Sequence, residues 1–163
     1  MRTREGFLTL MRELDGDVEQ LMRAAALTER AAARIDAGAR DAIDYGALGF
    51  TIHSAYGVLE NYFLRISKFF ENSLPSESWH RTLVERMSLD IPGLRPALIL
   101  SSDTQSRVLE VMRFRHRFRN LYGEELDPDK TLAVERRLRE LVEEVPEIHA
   151  EFRRKLAAIA EAL

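Results

Sequence analysis

Cysteine is absent from the 163 residues, which removes disulfides and thiolate metal sites from consideration. A reducing cytosol is compatible with that composition. No apolar run approaches the roughly 20 residues a bilayer span needs. The opening residues Met1 to Glu5 are charged where a secretory leader would carry an apolar core. The expectation is a soluble, cytoplasmic chain. Glycine-rich phosphate loops, nucleophile elbows and Cys/His clusters are missing as well, so the commonest nucleotide-binding, hydrolase and zinc chemistries have no anchor. No segment alternates polar and apolar residues as a strand would, and nothing repeats at a solenoid period.

What remains is helical periodicity. With 45% hydrophobic and 31% charged residues, the chain has the profile of one globular domain, residues 1–163, able to bury a substantial core. Leu8, Met11, Leu14, Val18, Leu21, Met22 and Ala25 recur at three and four, weakening toward Ile35. Gly16 offers a place to bend, and a connection runs from Asp36 to as far as Gly46. A second helix spans about Leu48 to Glu71, with Ile52, Tyr56, Leu59, Phe63, Ile66 and Phe70 on one stripe. Pro75 ends it. A short helix follows from Glu77 to Ser88, then an irregular crossing from Asp90 to Pro96. Ser102 and Gln105 read as a capping box for a fourth helix that stops near Gly123. Asp127 and Pro128 start the last helix, with a bend or break expected at Pro146. The predicted fold is an all-α antiparallel bundle of about five helices.

The fourth helix carries the chemistry. Arg113, Arg115, His116, Arg117 and Arg119 fall within seven residues of a chain whose formal net charge is -3. A positive cluster on an acidic background points to an anionic partner, RNA phosphate first. On a helical wheel Arg115 falls at the middle of the stripe made by Val108, Val111, Met112, Phe118 and Tyr122, with Arg119, His116 and Asn120 beside it. Arg113 and Arg117 point to water. A guanidinium on an apolar face requires a counter-charge, and Glu60, on the margin of the second helix's stripe, is the predicted ion-pair partner. The alternative is that this stripe meets a second subunit across a cleft that phosphate enters, which makes the chain a dimer. A histidine within a turn of two arginines can move a hydroxyl proton while the guanidiniums hold a phosphate. That set is what metal-free RNA cleavage by ribose 2′-OH attack requires.

These residues resemble the HEPN superfamily, and within it the HepT-like ribonuclease toxins. In that motif Arg115 takes the arginine, His116 the polar residue that follows it, and Tyr122 the terminal tyrosine, while Asn120 stands where the motif has histidine. The run from Tyr56 to Phe63 resembles the family's second-helix pattern. The segment from Pro75 through Trp79, His80 and Leu83 to Met87, and the pair Leu126 and Asp127, fit the same subgroup. The similarity covers about residues 45–132. It implies a HEPN-like helical bundle forming a homodimer, with two arginine helices facing across a shared RNA cleft. It implies metal-independent endoribonuclease action leaving a 2′,3′-cyclic phosphate, with no cofactor. It further implies a nucleotidyltransferase antitoxin that adenylylates Tyr122. With an amide at residue 120, either His116 takes over the proton transfer, or the chain is a binding module in a toxin–antitoxin or defence complex.

Other constellations carry less. Glu77 and His80 have a carboxylate-bridged metal spacing, but no second copy exists, so no metal site is expected and His80 reads as a packing or capping residue with Trp79 in the core. His53 and Glu60 share a helix edge and could touch. His149 reads as solvated. Tyr56, Tyr62, Phe63, Phe69 and Phe70 read as core, and the basic stretches at 136–140 and 153–155 as a solvated face with helical ion pairs.

Overall fold

A computed structural model of the protein describes residues 2–71, 79–121 and 123–163. Five helices carry the fold: α1 (Arg4–Asp36), α2 (Ala42–Phe70), α3 (Trp79–Met87), α4 (Ser102–Arg119) and α5 (Pro128–Glu161). Among the described residues the only strand-like feature is an isolated bridge between Ile91 and Arg95. The all-α bundle is what the chain forms. Long α1 and α2 are joined by five residues and pack along each other, which forces them antiparallel.

Each long helix begins at a side-chain cap that satisfies otherwise orphaned N–H groups. Thr3 accepts the Gly6 N–H at 3.1 Å. Asp41 and Asp44 form a reciprocal capping box. That box starts α2 six residues before the expected Leu48, because two satisfied donors outweigh the modest cost of Gly46 within a helix. The cap of α4 is Ser101, which accepts the Thr104 N–H at 3.1 Å. Ser102 is therefore the first helical residue, not the cap. Asp127 accepts from the Lys130 N–H at 3.0 Å, with Pro128 in the first turn as anticipated.

Neither Gly16 nor Pro146 breaks its helix. α1 runs through Gly16, and α5 runs through Pro146 to Glu161. Pro146 itself is exposed, while Leu141, Val145 and Phe152 hold the segment on the core. α4 ends at Arg119, short of Gly123, which takes the left-handed conformation (φ 75°) in the loop beyond.

α2 is the central element and touches all four others. Leu48, Ile52, Tyr56 and Ile66 on it are sealed from solvent, as are Leu14, Leu83, Met87 and Leu156 around it. Tyr62, Phe63 and Phe70 are buried too, and Phe69 packs at the margin.

His149 is the clearest correction in the frame. It is not solvated: its side chain is 12% exposed and joins three helices. Nδ1 meets the Tyr62 hydroxyl at 3.0 Å, and Nε2 meets Asp15 Oδ1 at 2.9 Å, which Arg153 Nε also reaches at 3.0 Å. Its surroundings are supplied by α1 and α2, so no pattern within α5 reveals them. Burial alone would raise the Asp15 carboxyl, but hydrogen bonds and charge from His149 and Arg153 outweigh it and hold it below the ordinary range. A depressed folded-state pKa stabilises above the unfolded value and the contribution is lost as pH falls through the folded one. Asp15→Asn is therefore expected to flatten the decline of stability below about pH 4. Tyr62→Phe should cost about 1–3 kcal/mol by leaving an imidazole nitrogen unmatched, read from a urea midpoint at constant slope.

Candidate RNA-binding site on the arginine helix

α4 buries Thr104, Val108, Val111 and Phe114. At about 100° per residue Arg115 falls between Thr104 and Val108 on that row, while Phe114 lies at its edge and Met112 is only partly covered. Arg115 is thus on the apolar stripe as anticipated, at its C-terminal end, with its side chain 20% exposed. Partial exposure suits a guanidinium: its stem packs while its tip keeps polar partners.

Those partners come from α2. Arg115 Nη1 donates to the His53 carbonyl at 3.0 Å, and Nη2 lies 3.9 Å from Glu60 Oε1. The anticipated Glu60–Arg115 ion pair is present, although Glu60 has a nearer partner. Its Oε2 is 2.7 Å from His80 Nδ1 at the start of α3. Glu60 is 5% exposed, and a carboxylate so deeply placed requires charged or hydrogen-bonding neighbours. Arg115 and His80 supply them from two other helices. The expected His53–Glu60 contact is replaced by this arrangement.

Space for the guanidinium is made by Gly57. A Cβ built there would overlap Arg115 Nη1, so this close approach requires glycine. Gly57→Ala is expected to displace the guanidinium from the His53 carbonyl while the fold persists. The atom met is the tip of a flexible side chain, so the stability loss should stay near about 1 kcal/mol. The shift should appear at the Arg115 Nε–H resonance by NMR.

Two further polar atoms stand beside this group. The Tyr56 hydroxyl and His53 Nδ1 are buried and have no hydrogen-bond partner. Burial, and then the charge of Glu60, push the Tyr56 phenol far above its ordinary range against the opposing pull of Arg115, so it stays protonated. Burial, then Arg115 and Arg119, lower the His53 imidazole against Glu60, so it is neutral at pH 7. The His53 ring lies 5.4 Å from Phe118 and 6.5 Å from Phe50.

His116, Arg113, Arg117 and Arg119 are exposed at the C-terminal end of α4, where the helix dipole tolerates cations. No carboxylate pairs with any of these three arginines among the described residues, whereas Arg107 and Arg137 on the same flank of the bundle are tied to Glu140 and to Glu144 or Glu110. His116 lies 6.2 Å, ring to ring, from His80. Asn120 follows the helix and caps it: its N–H donates to the Arg117 carbonyl at 3.1 Å and its Nδ2 to the His116 carbonyl at 2.8 Å. Tyr122, Pro75 and Glu77 lie outside the described residues.

A partly buried arginine beside a buried glutamate of the central helix, with a histidine and three exposed arginines at the same helix end, lies in the region that the family model described as HepT-like protein matches, residues 47–156. The chain belongs to the HepT-like family. Neither a curated protein nor a solved structure matches it. The matched span holds α3, α4 and all but the first turns of α2, so every HepT-like residue discussed above falls inside it. α1 lies outside the match and contributes to the core, not to the arginine cluster.

Three members of this site had no functional role assigned from the sequence, where His80 read as packing or capping and Tyr56 as core. His80, Gly57 and Tyr56 act across helices, and their neighbours are distant in the chain. The adjoining Trp79 and His80, stacked 3.6 Å apart, were the available signal for His80, which reads as a capping residue until Glu60 is placed beside it.

Proposed function

We propose that this HepT-like chain is a metal-independent endoribonuclease toxin. Arg115 and Arg119 hold the scissile phosphate, His116 moves a proton, and Arg113 and Arg117 attract the flanking RNA backbone. The observation that carries the reading is the fixing of Arg115 by the His53 carbonyl and Glu60, beside His116 and three arginines without carboxylate partners among the described residues. A guanidinium oriented before substrate arrives can stabilise developing charge without reorganising.

The active form is a homodimer in the cytoplasm, with the arginine helices of two copies lining one cleft. In support, Phe50 (57% exposed) and Ile43 (81% exposed) leave apolar surface at the α2 end near His53 and Phe118. Apolar surface of that kind favours self-association. A nucleotidyltransferase antitoxin is the proposed partner, with Tyr122 the residue it modifies. The test incubates the purified chain with RNA in EDTA and identifies the products: a 2′,3′-cyclic phosphate end supports the reading, and intact RNA overturns it. Light scattering at micromolar concentration reads the dimer directly.

One observation favours a second reading. Asn120 spends its amide on the His116 carbonyl and cannot titrate, as a binding module without turnover would allow. RNA bound but uncut under the same conditions selects that reading.

A further inference from the structure

Residue 120 leaves the proposed reaction one titratable group short. Cleavage by 2′-OH attack needs a base for the hydroxyl and an acid for the departing 5′-oxygen, and α4 supplies only His116. Two other histidines stand near Arg115: His53 on α2, whose unpartnered Nδ1 is buried, and His80 on α3, whose free nitrogen is not. The geometry points to His80, oriented by Glu60, as the second catalytic imidazole of this site, with RNA as its substrate; the inference rests on the ribonuclease reading above.

Four features support it. Glu60 Oε2 binds His80 Nδ1 at 2.7 Å, which fixes the ring and selects the tautomer with the proton on Nδ1. Nε2 then carries the free lone pair. Among the described residues it has no hydrogen bond, and it is not one of the buried unpartnered atoms, so solvent or substrate reaches it. The other oxygen of Glu60 faces Arg115, which joins the dyad to the proposed phosphate site. The His116 ring stands 6.2 Å away, a spacing at which one phosphodiester can meet an imidazole on either side. The charged and titratable groups facing His80 are Glu60 from α2 and His116 from α4, with Arg115 beyond Glu60.

The division of labour follows from charge. A base becomes cationic as it works, and Glu60 stabilises that cation at His80. His116 is exposed beside Arg113, Arg117 and Arg119, on the helix end where the phosphate and its departing oxygen would lie. His80 Nε2 takes the 2′-OH proton, the 2′-oxygen forms a bond to phosphorus, and the bond from phosphorus to the 5′-oxygen breaks. The His116 imidazolium gives its proton to that oxygen. A 2′,3′-cyclic phosphate and a 5′-hydroxyl result, and solvent resets both rings.

The test measures pH–rate profiles in EDTA for wild type, His80→Gln and Glu60→Gln, with RNA affinity and thermal melting alongside. A bell-shaped wild-type profile, loss of its acid limb in His80→Gln and a fall in rate of about 10²-fold or more with affinity nearly unchanged support the assignment. Cleavage by His80→Gln within threefold of wild type, with the same profile, overturns it and leaves the ribonuclease reading standing. Wild-type protein that cuts no RNA overturns both. Should His80→Gln fail to fold, Glu60→Gln decides: it keeps the carboxamide volume, and an unchanged rate and acid limb count against the dyad, whereas a lowered rate with a shifted limb supports it.

Discussion

Arg115→Ala should abolish RNA cleavage, with a fall of roughly 10³-fold in kcat, the scale seen when one preorganised donor to a developing negative charge is removed. The fold should survive. Arg115 stands at the C-terminal end of the α4 buried row with its side chain 20% exposed, and Val108, Val111 and Phe114 carry the packing. Removing the guanidinium leaves Glu60 with His80 at 2.7 Å, so the buried carboxylate keeps a partner and the loss in stability should stay within about 1–3 kcal/mol. Arg115→Lys should be nearly as inactive as alanine. An ammonium cannot donate to the His53 carbonyl while presenting a second fork to phosphate. The pair of measurements is single-turnover cleavage in EDTA and a denaturant titration. Arg113→Ala and Arg117→Ala, by contrast, should weaken RNA binding and lower its salt dependence without a comparable change in the single-turnover rate. An Arg115→Ala protein that cleaves at the wild-type rate would remove Arg115 from the chemistry.

Much of the fold was legible because helices announce themselves locally. The three-and-four spacing and the Asp127 and Pro128 start are properties of contiguous residues, and the structure has them. Boundaries slipped where local rules compete: Asp41 and Asp44 form a box that a reading centred on apolar periodicity begins too late to include. In the site, the wheel placed Arg115 near apolar neighbours and electrostatics required Glu60, so that pair was legible across 55 positions of sequence. His80 was not, because its role depends on how α3 docks on α2. His149 failed for the same reason, since Asp15 and Tyr62 reach it from other helices. Periodicity tells which face is inside, but the identity of the group met there is tertiary information.

Arg95 is the extreme case, and it carries the largest stability effect expected of any single change. The sequence places it in an irregular crossing, where an arginine would ordinarily be wet. Its side chain is instead fully buried. Nη2 lies 2.8 Å from Glu71 Oε1 and donates to the Arg86 carbonyl at 2.7 Å. Its backbone closes a turn with Ile91, so the guanidinium ties the crossing to the end of α2 and the end of α3. Burial lowers its proton affinity and Glu71 opposes that; the counter-charge keeps the pair ionised. Nε and Nη1 remain buried without hydrogen bonds, so the desolvation of this group is only partly offset. Truncating one partner of such a pair leaves the other charge stranded, and the cost is about 3–5 kcal/mol. Arg95→Ala should be worse still for packing, while Arg95→Met, which keeps the stem volume and removes the unmatched donors, should recover part of the loss. Glu71 retains Arg86 at 2.9 Å in either variant, so the carboxylate is not wholly stranded and the arginine's own cavity dominates. Urea titrations of the two variants separate these contributions. Equal stability of Arg95→Ala and wild type would mean that the crossing is held by its backbone turn and by Leu98 and Ile99 packing alone.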